Sequence, residues 1–150
     1  MPITYRIGDA TLPPERPAMI VHVVNDVGAW GAGFSGALGG HYLWAEQSYR
    51  AWTGRALGLS SWTWSPREIM LGVGHLCAQR GLPSRANPHP LDLDALDKCL
   101  AYTSILPTTH SIHMPRIGCG LAGGTWVEVE PLIRKHLDRH AVFVYDLEQP

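Results

Sequence analysis

Met19-Ile20-Val21-His22-Val23-Val24 runs straight into Asn25-Asp26-Val27-Gly28-Ala29-Trp30-Gly31-Ala32-Gly33. The first part is a near-continuous β-branched run, the pattern of a strand covered on both faces. The second is a glycine-rich loop at the carboxyl end of that strand. The design returns once more. Ser111 to Met114 reads as a short strand, and Pro115-Arg116-Ile117-Gly118-Cys119-Gly120-Leu121-Ala122-Gly123-Gly124 leads from it into a helix. Loops of this kind build anion sites, because their N–H groups point inward, a helix N-terminus adds partial positive charge, and no side chain bars a phosphate from the backbone. In a doubly wound sheet the carboxyl ends of neighbouring strands line one crevice. Two such loops facing each other would hold two phosphates or a diphosphate, which favours a nucleotide-like ligand.

Outward from these units, Ile3 to Ile7 alternates as a short strand and stops at Gly8-Asp9. Leu38, Tyr42, Ala45, Tyr49 and Trp52 recur at helical spacing, as do Leu93, Leu96, Leu100 and Thr103. Glu68 to Ala78 reads as a second buried strand, and residues 54–67 read as irregular. Thr125-Trp126-Val127-Glu128 has the form of a capping box ahead of a helical stripe at Trp126, Val129, Ile133 and Leu137. Ala141 to Tyr145 closes the chain as a strand. The order β-β-α-β-α-β-α-β predicts an α/β fold with a mixed, largely parallel sheet between helices, in one domain over residues 1–150.

Composition narrows the function. The 150 residues are 45% apolar and 17% charged, with net charge −1. That balance opposes a disordered chain and a nucleic-acid binder held by a basic face. No apolar run approaches 18 residues, no signal peptide is visible, and the three cysteines, Cys77, Cys99 and Cys119, form neither a disulfide framework nor a metal knuckle. A cytoplasmic protein without a membrane partner is expected. Gly31-Ala32-Gly33-Phe34-Ser35-Gly36 formally matches G-x-G-x-x-G, but the next strand begins only near Glu68, too late for a dinucleotide-binding unit.

Gly8-Asp9, the run from Val21 through Gly33, Met114-Pro115-Arg116-Ile117-Gly118-Cys119-Gly120-Leu121, Trp126 and Val144-Tyr145-Asp146-Leu147 together resemble the macrodomain family of ADP-ribose-binding modules. The segment from Met114 to Leu121 is similar to the phosphate loop of one subgroup. That subgroup holds the terminal ADP-ribose protein glycohydrolase, the macrodomain antitoxins that strip ADP-ribose from DNA, and the fungal ADP-ribose-1″-phosphate phosphatase. The resemblance implies a three-layer α/β/α macrodomain that takes ADP-ribose as ligand or product, with no cofactor and no metal. It places the adenine at Gly8, Asp9 and Ala10, with Tyr145 stacking on the base. Val24, Gly28, Trp30, Gly31, Ala32, Gly33 and Phe34 would wrap the distal ribose. Arg116, Ile117, Gly118, Cys119, Gly120, Leu121 and Ala122 would cradle the diphosphate.

Hydrolases of this subgroup use a lysine at the end of the central strand and an aspartate just after the phosphate loop. Gln79 and Ala122 stand near those places here, and an amide cannot act as an amine nucleophile. Hydrolysis would then rest on a positioned water, with Asn25, Asp26 and His22 as the catalytic candidates. Asp26 is the obvious carboxylate for that water. The expected function is release of ADP-ribosyl groups from modified protein or nucleic acid by a monomer. A non-catalytic ADP-ribose reader and an ADP-ribose-1″-phosphate phosphatase are the alternatives. A cysteine hydrolase built on Cys119, with His22, His110 or His113 as base, is a further and weaker one.

Overall fold

The computed structural model describes residues 2–148. Six strands form one sheet in the order β1-β6-β5-β2-β4-β3, where β1 is Ile3–Ile7, β2 Ala18–Asn25, β3 Ser60–Trp64, β4 Leu71–Gln79, β5 Ser111–Met114 and β6 Val142–Asp146. Every neighbouring pair is parallel except β3 with β4. Helices α1 (Phe34–His41) and α2 (Leu43–Ala51) cover one face, and α3 (Leu93–Thr103) and α4 (Trp126–His136) the other. Strand periodicity divides β2 between them. Ala18 and Ile20 pack with Leu38 of α1, Ala45 of α2 and Tyr42 between them, while Met19 and Val21 join Leu96, Leu100, Val129 and Ile133 of α3 and α4. The uninterrupted β-branched run thus belongs to a strand that both helical layers need. Among the described residues no helix is long and apolar enough to cross a membrane.

Three expectations are corrected. Residues 54–67 are not wholly irregular, since Ser60–Trp64 pairs antiparallel with β4. Its tryptophans lie on glycines: Trp62 stands opposite Gly74 and Trp64 opposite Gly72. A Cβ at Gly72 would come within 2.8 Å of Trp64, and one at Gly74 within 3.2 Å of Trp62. Second, the stretch from Leu38 to Trp52 is two helices. Buried Tyr42 separates them with φ −135° and donates its hydroxyl to Thr11 O at 2.6 Å. Gly39 and Gly40, poor helix formers, precede the break. Third, Thr125 makes no side-chain cap on the backbone, and its hydroxyl donates to Glu128 Oε1 instead.

The order of the sheet fixes where function can sit. From β2 the chain returns to the sheet at β3 and β4, and from β5 it moves the opposite way to β6. The crevice between the carboxyl ends of β2 and β5 is the switch point at which open α/β sheets place ligands.

Candidate functional site

A cleft of about 350 Å³ opens at that point, within the range of small-ligand pockets. The end of β2, loop Asn25–Gly33, the start of α1, the end of β4 with Leu82 and Pro83, and the loop after β5 all line it. The two glycine loops do converge.

The first loop is held from within. Asn25 is buried, its Oδ1 accepts from the N–H groups of Val27 and Ala29 at 3.1 Å, and its Nδ2 donates to Ala29 O at 2.6 Å. Tyr49 adds its hydroxyl to the Asn25 Oδ1 and main-chain oxygen, both at 2.8 Å. The amide closes an Asx turn, so Asn25 shapes the loop, and it also lines the cleft with a second Nδ2–H that these bonds do not use. Asp26 also holds the loop. Its Oδ1 accepts from Gly81 N–H at 2.8 Å, pinning the first loop to the turn after β4, and the residue does not line the cleft.

The second loop turns on two glycines in the left-handed region, Gly118 at φ +73° and Gly123 at +77°. Gly124 N–H closes it onto Gly118 O at 2.8 Å. A Cβ on Gly118 would meet Leu91 at 2.9 Å, and one on Gly124 would meet Leu91 at 2.3 Å. Those glycines serve backbone shape and packing. Gly33 and Gly120, where an added Cβ meets nothing within 4 Å, are the ones that leave space at the cleft wall.

His22, Trp30 and Ser35 form the back wall, with His75 and Ser48 behind them. His22 is 2% exposed, with Nδ1 at 3.0 Å from Ser35 Oγ and Nε2 at 2.7 Å from His75 Nδ1. His75 in turn bonds Ser48 Oγ at 2.8 Å. Trp30 meets the edge of His22 at 5.5 Å between ring centres. Burial holds His22 well below the ordinary imidazole range, with His75 beside it lowering it further, and burial lowers His75 to about 4. Both rings are neutral near pH 7. Among the described residues no carboxylate ends this row of hydrogen bonds to stabilise an imidazolium, so His22 does not have the support that a general base needs.

Arg116 is the cleft's one cation among the described residues, and it is already paired. It donates to Asp146 Oδ1 and Oδ2 at 2.7 and 2.9 Å, and its guanidinium lies 5.3 Å from the Tyr5 ring centre and 5.2 Å from that of Trp126. This is a loop anchor at the rim. Gln79 and Ala122 line the wall, so no amine or carboxylate side chain faces the cleft from their positions.

Of the remaining sequence candidates, Val24, Trp30, Gly31, Gly33, Phe34, Ile117, Gly118, Gly120, Leu121 and Ala122 line the cleft, whereas Gly8, Asp9, Ala10, Gly28, Ala32, Cys119 and Tyr145 do not. Asp9 Oδ1 accepts from Thr11 N and Oγ1 at 2.9 and 2.7 Å, the bonds of a local turn. Gly28, at φ +82°, rests on Arg55. Tyr145 is a buried residue, 7% exposed, whose hydroxyl is held by Arg6 Nη1 at 3.0 Å and His113 Nδ1 at 2.8 Å. Burial raises the Cys119 thiol, so it is no ready nucleophile. Sequence reasoning passed over Val23, Ala29, Ser35, Leu82, Pro83 and Pro115 as lining residues. Ser35 sat inside the discarded glycine pattern, and the Leu82-Pro83 turn carried no signal of its own. Among the described residues no group of three or more histidines, cysteines or acids is disposed to hold a metal.

Fold and cleft together define an α/β domain with a largely backbone-built pocket at the switch point of its sheet. No family model matches the chain. A macrodomain protein from Streptomyces coelicolor is 35% identical, superposes with a TM-score of 0.83, and is covered over 97% of this chain and 99% of its own. The chain belongs to the macrodomain family. It is also 32% identical over 155 residues to the chromodomain-helicase-DNA-binding protein 1-like of Danio rerio, matching 94% of this chain but spanning only 15% of that relative's length. The Thermosipho africanus DarTG, solved in complex with ADP-ribose, shares the fold at 15% identity and TM-score 0.70, over 87% of this chain and 38% of its own.

Proposed function

We propose that the cleft binds ADP-ribose and that the domain recognises ADP-ribosylated protein or nucleic acid as a reader. The observation that carries this is the meeting of two glycine loops at the ends of adjacent parallel strands, where Gly33 and Gly120 leave the backbone open to a pyrophosphate. The bound ADP-ribose of the Thermosipho relative supports the ligand class. Binding without bond cleavage is favoured by the side chains: Asn25 and Asp26 are committed to loop geometry, His22 is buried and neutral, and Gln79 and Ala122 replace the ionisable pair.

Hydrolysis of the ADP-ribosyl bond is the second reading, and the similarity of Met114–Leu121 to hydrolase loops favours it. Backbone groups alone would then have to orient the water. Calorimetry with ADP-ribose, AMP and NAD tests binding, and indifference to ADP-ribose overturns both readings. Incubation with glutamate-linked ADP-ribosylated protein, ADP-ribosylated DNA and ADP-ribose 1″-phosphate separates them. Binding without release from any substrate supports the reader, and release identifies the bond that is cleaved.

A further inference from the structure

The hydrogen bonds behind the cleft have a direction. Ser48 Oγ lies 2.8 Å from Ala45 O, and a carbonyl only accepts, so the Ser48 proton is committed there. Ser48 therefore accepts from His75 Nε2. His75, protonated at Nε2, has a bare Nδ1 that accepts from His22 Nε2. His22 is left with a bare Nδ1, and the bond at 3.0 Å uses the proton of Ser35 Oγ. Each proton is used once, and one carbonyl sets the whole row. The reverse direction leaves the Ser48–Ala45 contact without a proton, a bias of roughly tenfold, the weight of one hydrogen bond. Ser35 is half-buried and lines the cleft, whereas neither His75 nor Ser48 does.

We propose that Ser35 is a specificity-determining residue that offers the cleft lone pairs and no proton, so that its end of the cleft accepts a ligand hydroxyl and disfavours a phosphoryl group. The inference rests on the ADP-ribose reading and sharpens it. A free terminal ribose fits, and the same sugar carrying a phosphate on its anomeric oxygen does not. The N–H groups that open α1, where Ala37 to Gly33 is the first intrahelical bond, can still meet an acceptor. Ser35 Oγ cannot act as a donor unless the row reverses. His22, His75 and Ser48 are positioning residues in this scheme.

Ring nitrogen shifts in protein carrying ¹⁵N-histidine report the tautomers without any ligand. Both His22 and His75 are expected in the Nε2–H form, and an Nδ1–H His22 overturns the proposal whether or not ADP-ribose binds. Ser48→Ala leaves the Ala45 carbonyl as an acceptor for His75 Nε2–H, so both rings are expected to keep the Nε2–H form in that variant, and an Nδ1–H His22 there overturns the direction of the row. By calorimetry the unmodified protein is expected to bind ADP-ribose at least about tenfold more tightly than ADP-ribose 1″-phosphate, and Ser35→Ala to abolish that preference. Equal affinity in the unmodified protein, or an unchanged preference in Ser35→Ala, overturns the proposal. Binding of neither ligand overturns the ADP-ribose reading and the ligand half of this inference with it, while the tautomers test the polarity independently.

Discussion

Replacing Gly118 by alanine separates two demands that the second loop could make at that position. If the glycine keeps space for a phosphate, the folded protein tolerates a methyl group and only binding suffers. If it serves the turn, stability falls with no ligand present. The structure supports the second. At φ +73°, a Cβ costs roughly 1–2 kcal/mol. The new atom would also stand 2.9 Å from both Leu91 methyl carbons. Overpacking costs about 1–3 kcal/mol, and the low half of that range applies because the methyls end a flexible side chain. The sum is roughly 2–4 kcal/mol, a shift of about 1–2 M in the urea midpoint at ordinary denaturant sensitivity. Leu91→Ala removes the steric part but not the backbone part, so a double-mutant cycle read by tryptophan fluorescence should show about 1 kcal/mol of coupling between the two positions. Unchanged stability of Gly118→Ala together with lost ADP-ribose affinity would refute this account and restore the phosphate-space role.

Asp26→Asn keeps an oxygen for Gly81 N–H and should leave stability, affinity and any ADP-ribosyl release within about twofold, whereas loss of a catalytic carboxylate costs on the order of a hundredfold or more; a turnover assay on modified protein distinguishes them. Stability should fall as pH drops from 6.5 to 4. His75 and His113 titrate near 4 in the folded chain against 6.5 when unfolded, because burial resists their charging, and buried His22 is displaced the same way. The unfolded chain then binds protons that the native state refuses, at a cost on the order of 3 kcal/mol per ring by pH 4. Urea titrations at pH 7, 6 and 5 check this, and a flat profile contradicts it. Gly72→Ala should destabilise by about 1–3 kcal/mol, because its Cβ would press on Trp64 at 2.8 Å and on Met19 at 2.9 Å; a melting temperature equal to the parent's would show that the indole has room to move.

What the sequence made legible follows from how local each signal is. The β2 and β5 units could be read because apolar β-branched runs and their trailing glycines lie next to each other in the chain, and parallel pairing of β2 with β5 then brings both loops to one crevice. Strand β3 was hidden because its reason lies elsewhere. Trp62 and Trp64 find their seats on Gly74 and Gly72, ten or so residues later, and neither stretch announces the pairing by itself. The orientation of the site's side chains was hidden for a different cause. Asn25, Asp26 and Tyr145 stand at strand ends beside the cleft or near it, and residue type does not tell whether a polar head turns to a ligand or to its own backbone. In all three the protein claims it, through Ala29 and Val27, Gly81, and Arg6 with His113.

That pattern also explains how a site for an anion can do without a free cation. Arg116 is the charge nearest to hand, but Asp146 pairs with its Nε and Nη2 and two aromatic rings flank it. A diphosphate in this cleft would therefore depend on main-chain dipoles from the two loops. Dipoles so arranged need rigid loops, which is the work of the Asn25 turn, the Asp26 clamp on Gly81 and the Gly124–Gly118 closure. The histidine in the wall adds no charge of its own, because burial keeps His22 neutral. The polar side chains that resembled a catalytic set are, on this geometry, what holds the backbone in its binding shape.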